Sequence, residues 1–263
     1  MADTNDLVLY KLKDRVAIVQ LNAPESRNAM TPEMGEALAA AIARGAKEAG
    51  AIALLGGEKA FSAGTNLKSS RMDNISPNID MGEKLEQLYN PLLLKIRDLP
   101  IPLVSGISGA AAGVGCSIAL MGDIIVAGKS GFFLQAFCHV GLVPDGGAAY
   151  ILSRSVGRVR AMELMLLGER YPAERAYQDG LVTKVVEDEE VASSTIEYAT
   201  QLAHGPAVAL RLIRQAAWAS LDSSFGTQLE LDRGNQKTAG RTKDFAEGVA
   251  AFRERRKPEF QGK

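Results

Sequence analysis

An α/β core followed by a helical C-terminal region is the fold class that this sequence of 263 residues predicts. Three observations predict it. In the first half, short β-rich apolar runs alternate with stretches whose apolar residues recur at helical spacing. After Gly157 the pattern becomes mostly helical, with one late strand. Hydrophobic residues make up 46% and charged residues 23%, the balance of a chain that buries a core rather than staying disordered. The length exceeds the usual ~100–200 residues of one domain. We divide it into an α/β core over residues 1–191 and a helical region over residues 192–263.

The elements follow in order. Val16 to Leu21 is apolar and rich in β-formers, hence a strand. A turn over residues 22–28 leads to Thr31-Pro32-Glu33, a capping hydroxyl with proline at the first helical position. Met34, Leu38, Ala41 and Ile42 then mark one buried helical face. Gly50 stops that helix, and residues 51–55 read as a short strand covered on both faces. A polar loop from Ser69 to Asp80 precedes a helix ending near Asp98. A strand over 103–107, a glycine turn, a helix from Val114 to Met121 and a strand over 123–127 come next. Val182 to Val186 is the late strand, and helices are predicted over 193–204, 206–221, 225–239 and 244–256. No fixed-period repeat or low-complexity tract is visible.

The charge balance narrows the function. Thirty basic against 31 acidic residues leave a formal charge of −1, so no basic surface points to nucleic acid or an anionic membrane. Two histidines (His139, His204) and two cysteines (Cys116, Cys138) exclude a Cys/His zinc site of the usual spacing and a disulfide framework. We expect no metal and no permanently bound cofactor. The polar, acidic start of the chain resembles no secretion signal, so a cytoplasmic address is expected. Residues between Asp98 and Asp123 carry no charge, but two prolines and five glycines make them a poor spanning helix, and a buried strand, turn and helix fit better.

Most catalytic templates fail. Gly113-Val114-Gly115-Cys116 lacks the third glycine of a dinucleotide fingerprint, Gly106-Ile107-Ser108-Gly109 is no nucleophile elbow, and no Walker phosphate loop is present. Asn74-Ile75-Ser76 matches a glycosylation acceptor by accident. Three segments remain. Residues 60–67 follow a buried strand, and residues 107–116 lie between a strand and an apolar helix. Their small residues let a ligand approach main-chain N–H groups, although tight strand–helix packing would demand the same glycines. The third segment, Gly141-Leu142-Val143-Pro144-Asp145-Gly146-Gly147, holds one carboxylate in a fixed turn. Asp145 reads either as a turn former or, among apolar neighbours that push its pKa upward, as a proton carrier.

Taken in order, these segments resemble the crotonase (enoyl-CoA hydratase/isomerase) superfamily, as do Leu21-Asn22-Ala23-Pro24-Glu25-Ser26-Arg27-Asn28-Ala29-Met30 and Gly248-Val249-Ala250-Ala251-Phe252. The resemblance spans almost the whole chain, and it is strongest to the isomerase branch of the 1,2-epoxyphenylacetyl-CoA type. It implies a spiral of ββα units followed by helices that mediate homotrimers, commonly paired into dimers of trimers. It implies an acyl-CoA thioester as substrate, with coenzyme A entering only as part of it. The thioester oxygen, becoming an enolate, would be held by the main-chain amides of Thr65 and Val114. Ser117 and Phe137 stand where hydratases of the family carry two glutamates, so hydration by that route is not expected. Asp145 matches the carboxylate of the isomerase branch and would shuttle a proton, with Ser117 a secondary site. Arg27, Ala29, Ala63, Leu67 and Lys68 match contacts to coenzyme A. Phe252 and Arg255 match an aromatic and a basic residue at its adenine end, although residues 253–257 read equally as a solvated helix end. The expected function is therefore an acyl-CoA isomerase that shifts a double bond or rearranges a ring epoxide. A hydratase-type lyase and a CoA-ester binding protein without catalysis are the alternatives.

Overall fold

The computed structural model describes residues 6–65 and 79–262. Two strands open the chain, β1 (Val8–Lys13) and β2 (Val16–Leu21), joined by a tight turn. Helix α1 (Pro32–Glu48) starts where Thr31 accepts the Met34 N–H, and it is followed by β3 (Ala51–Leu55) and β4 (Ala60–Ser62). A single π-turn, Leu85–Tyr89, runs into α2 (Asn90–Arg97). Then come β5 (Leu103–Ile107), β6 (Ala110–Ala112) and α3 (Val114–Ala119). They are followed by β7 (Ile124–Gly128), β8 (Phe132–Leu134), a 3-10 turn over Ala136–Val140, α4 (Ala148–Ser155) and α5 (Gly157–Leu167). After β9 (Tyr171–Pro172), α6 (Ala173–Gln178) and β10 (Lys184–Val186), four helices complete the chain. These are α7 (Val191–Ala203), α8 (Ala207–Ser220), α9 (Phe225–Ala239) and α10 (Lys243–Glu254).

The strands form two sheets. The larger has the order β1-β2-β3-β5-β7-β10, parallel except for the β1–β2 hairpin. The smaller has the order β4-β6-β8-β9. Each of β3, β5 and β7 therefore sends the chain to a short strand of the second sheet before a helix, which is the ββα spiral. All five residues of β3 and of β5 are buried, as expected for parallel strands covered on both faces. On one face, Ile52, Leu54, Leu103 and Ile107 pack with Met34, Leu38 and Ile42 of α1 and Leu92 and Ile96 of α2. On the other, the small residues Ala51 and Ala53, with Val104 and Val126, let α7 lie close through Val191, Ala199 and Ala203. Helix α7 begins at the position where the sequence reading divides the chain, and it packs directly on the sheet.

The uncharged stretch between Asp98 and Asp123 forms β5, β6 and α3 inside this core. Among the described residues no helix is long and apolar enough to cross a membrane. Strand β1 was not expected, because its last three residues alternate Lys-Leu-Lys and stand exposed at a sheet edge. The short second sheet was also missed, and part of the expected glycine turn is β6. Strands of two or three residues are too short to carry a periodic signal. The predicted helix ends differ from the observed ones by one or two residues.

An ion pair with a buried arginine ties the C-terminal helices to the core. Arg214 of α8 is 5% exposed; its Nε donates to Asp123 Oδ2 at 2.8 Å, and its Nη2 donates to the Ile96 carbonyl at 2.7 Å. Its Nη1 reaches the carbonyls of Arg97 and Leu99, so the guanidinium caps the open end of α2.

Candidate active site

The site is built where three loops meet. The first is the segment at residues 27–30. Arg27 and Asn28 both adopt left-handed φ values of 54°, which turns the chain back on itself. Asn28 is buried; its amide donates to the Ala60 and Phe61 carbonyls, and its Oδ1 accepts the Ala23 N–H at 2.7 Å. The second loop then runs alongside the first. Ala63 N–H donates to the Arg27 carbonyl at 2.9 Å, and Met30 N–H donates to the Gly64 carbonyl at 2.7 Å. Ser62 stitches the two from below, donating to the Asn28 carbonyl at 2.7 Å and accepting the Gly64 N–H. Arg27, Ala29, Ala63 and Thr65 are thus brought together. Leu67 and Lys68 lie outside the described residues, as do Asn66 and the Asn74-Ile75-Ser76 triplet.

Met30 and Thr65 form a parallel bridge. In such a bridge Met30 donates to the residue before Thr65, so the N–H of Thr65 itself faces away from Met30. Gly64 lies against the third loop. A Cβ built on it would stand 2.8 Å from the Ala112 carbonyl oxygen and 3.6 Å from Gly113 Cα, and its φ is +84°. Only glycine permits this approach. Gly113, with φ 52° and ψ −131°, then delivers the chain into α3, whose first residue is the buried Val114. Amides in a helix's first turn have no acceptor within the helix, so Val114 N–H is such a group. Gly115 is equally constrained, because a Cβ there would sit 2.5 Å from Ser62 Cβ. The glycines of residues 107–116 therefore serve the close packing that the sequence allowed for, and they also draw residues 65 and 114 toward each other.

Asp145 lies on the turn before α4. Gly146 and Gly147 follow it with φ values of 58° and 75°, a pair of left-handed residues that glycine adopts without strain. Ser117 fixes the turn. Its hydroxyl donates to the Asp145 carbonyl at 3.0 Å, and a Cβ on Gly146 would lie 2.8 Å from Ser117 Cβ. The Ser117 hydroxyl is therefore directed at the turn. The Asp145 carboxyl differs in character: its Oδ1 is buried without a hydrogen-bond partner among the described residues. Burial pushes its pKa from 3.8 up to about 6. Phe137 covers the neighbouring wall, its ring Cζ 3.6 Å from where a Gly113 Cβ would stand. Behind Gly146 and Gly147 opens a cavity of about 700 Å³, walled by Leu93, Met121, Ile151 and Trp218 and by the polar Arg97, Asp98, Gln215 and Asp222.

The remaining expected contacts stand apart. Phe252 of α10 is 86% exposed, and the exposed Arg255 ends that helix in a left-handed conformation. His139 hydrogen-bonds to the Leu167 carbonyl at 2.9 Å, and His204 caps the end of α7 against Asp14 Oδ1 at 2.8 Å. Among the described residues no group of three His, Cys, Asp or Glu side chains is placed to hold a metal. Sequence reasoning missed Tyr89, which is buried on the π-turn and donates to the Met30 carbonyl at 3.3 Å. The only sequence signal there is Pro91, which has no N–H to give and so loosens the helical ladder around it.

The chain matches the enoyl-CoA hydratase/isomerase family profile over residues 11–263. It is 38% identical over 260 residues to 1,2-epoxyphenylacetyl-CoA isomerase of Escherichia coli strain K12, covering 98% of this chain and 99% of that one. It is 33% identical to a trans-2-decenoyl-(acyl-carrier-protein) isomerase of Streptococcus mutans, covering 97% and 98%. The crystal structure of an enoyl-CoA hydratase from Polaromonas sp. JS666 superposes with a TM-score of 0.89 at 30% identity, covering 97% of this chain and 99% of that one. The order of ββα units, the paired glycine loops and these likenesses along nearly the whole length agree, and the chain belongs to the crotonase superfamily of enoyl-CoA hydratases and isomerases.

Proposed function

We propose that the protein is an acyl-CoA isomerase in which Asp145 is the single proton carrier. The observation that carries this reading is the half-buried Asp145 carboxyl, whose Oδ1 is out of water without a hydrogen-bond partner among the described residues and which burial pushes up to about 6. A group of that basicity is ionised at neutral pH and still able to give a proton back. The carboxylate takes a proton from the carbon next to the thioester carbonyl. The electron pair moves onto the carbonyl oxygen, giving an enolate held by the N–H groups of Thr65 and Val114. The same proton returns two carbons further along, the carbonyl reforms, and the double bond has shifted with all atoms conserved. Each such amide donor is worth about 2.7–4 kcal/mol to the developing oxyanion. On a ring-epoxide ester, the same donors and acid would assist opening of the epoxide.

The surroundings support an isomerase over a hydratase. Ser117 directs its hydroxyl into the turn and Phe137 lays an apolar ring on Gly113, so neither can activate a water. Arg27, Ala29 and Ala63, with Leu67 and Lys68, are our candidates for coenzyme A contacts, and Phe252 and Arg255 for its adenine end. We also propose a homotrimer or a dimer of trimers, because α9 buries none of its residues and leaves Phe225 and Leu229 exposed.

The test is turnover of 3-enoyl-CoA, 2-enoyl-CoA and ring-epoxide CoA esters by the parent and by Asp145→Asn. Double-bond shift or epoxide rearrangement, lost in Asp145→Asn, is the expected result. Hydration of 2-enoyl-CoA alone would overturn the isomerase reading. Tight ester binding without turnover of any ester would make the protein a CoA-ester binder.

A further inference from the structure

Tyr89 lies between the two halves of the site. Its hydroxyl donates to the Met30 carbonyl at 3.3 Å, and Met30 is the residue whose N–H holds Gly64 and whose bridge partner is Thr65. One turn further along the same helical face, Leu93 meets the Asp145 turn, with its Cδ1 3.2 Å from where a Gly146 Cβ would stand. Residues four apart on a helix share a face, so Tyr89 lies on the side of this helix that Leu93 turns toward the Asp145 turn. The residue is 3% exposed. It ends the π-turn, in which Asn90 N–H reaches back to the Leu85 carbonyl, and such turns re-aim side chains at functional sites.

We propose that Tyr89 is a positioning residue of this site, its hydroxyl fixing the Met30 carbonyl and so the aim of the Thr65 amide, its ring shutting water away from the Asp145 carboxylate. This rests on the reading of Thr65 and Asp145 given above. The electrostatics agree with the placement. The Tyr89 phenol is pushed up to about 12, first by burial and then by the negative charges of Asp145 and, from α1, Glu33. Asp145 in turn owes its raised pKa to burial.

Two variants separate the hydroxyl from the ring. Tyr89→Phe keeps the wall and removes one hydrogen bond. We expect kcat to fall about three- to tenfold with KM little changed, and the acid limb of the pH profile to stay near pH 6. Tyr89→Ala opens the wall, and we expect the Asp145 carboxyl to titrate about one unit lower. That shift is read by carbon-13 NMR of labelled aspartate, with the Asp145 signal identified by its loss in Asp145→Asn, so it does not depend on turnover. An unchanged kcat in Tyr89→Phe, or an unmoved Asp145 titration in Tyr89→Ala, would overturn the proposal. A lower Tm with both readouts unmoved would make Tyr89 a packing residue only. Full isomerase activity in Asp145→Asn would instead refute the assigned base, leaving the NMR shift to decide the Tyr89 contact by itself.

Discussion

Asp123 and Asp145 are both drawn out of water, one beyond the end of α3 and the other before α4, and their surroundings differ in one respect. Asp123 accepts the Leu103 N–H and the Arg214 guanidinium, each at 2.8 Å. Burial pushes its carboxyl up, while Arg214 and the Leu103 amide pull it back. Asp145 has burial without that compensation. A carboxylate that is fully hydrogen-bonded holds a structure in place, whereas one left without a partner keeps its basicity for something that arrives later. The contrast separates a charge held by the fold from the one we propose for catalysis, among residues of the same type.

The largest expected effect breaks the site side of this contrast. Asp145→Asn should cost about 10²- to 10⁴-fold in kcat, measured with the best ester substrate. It should also stabilise the fold. The Asp145 carboxyl titrates at about 6 when folded, against 3.8 ordinarily, so the folded state binds the extra proton between those values. The penalty of its buried charge therefore grows as pH rises through that window and is complete above about pH 6. Urea denaturation should show the variant more stable than the parent at pH 7, by up to about 3 kcal/mol, and equal to it at pH 3.

Breaking the fold side should give the opposite outcome. Arg214→Met leaves the Asp123 carboxylate without its cation and the carbonyls of Ile96, Arg97 and Leu99 without their donor, and should cost about 3 kcal/mol in urea denaturation. Replacing both partners, as Asp123→Asn with Arg214→Met, should cost less than the single change, because no unpaired charge remains. A smaller loss, about 1–3 kcal/mol, is expected for Gly115→Ala, whose new methyl would collide with Ser62. The smallest effect needs no mutation. The parent's kcat/KM should be half-maximal near pH 6 and fall on the acid side, since the base works only when ionised. A flat profile from pH 5 to 8 would contradict it.

The order of the elements was legible in the residues because helices and long strands carry their own periodicity. Thr31-Pro32 marks the start of α1, and the run of buried residues in β3 marks a covered strand. The short second sheet and the edge strand β1 were not legible, since two or three residues show no period and exposed lysines mask an edge. Of the residues proposed for the site, Asp145 stood out by its turn, whereas 65 and 114 were singled out only through resemblance to a family. Tyr89 had only Pro91 beside it as a signal, and a tyrosine near a proline looks the same in any helix.

The sequence by itself determined the classes of chemistry left open. Two histidines and two cysteines leave carboxylates, hydroxyls and main-chain amides as the working groups. The glycines at 64, 113, 115, 146 and 147 permit close approach whatever surrounds them. Tertiary structure alone decided which carboxylate is without a partner. Local sequence marks Asp145 as a turn residue but does not show that its carboxyl is left without a cation. The difference is made by Arg214, 91 residues beyond Asp123 in the chain, which reaches the first and not the second. Protonation follows the surrounding dielectric and charge, and these are properties of the packed molecule rather than of any stretch of sequence.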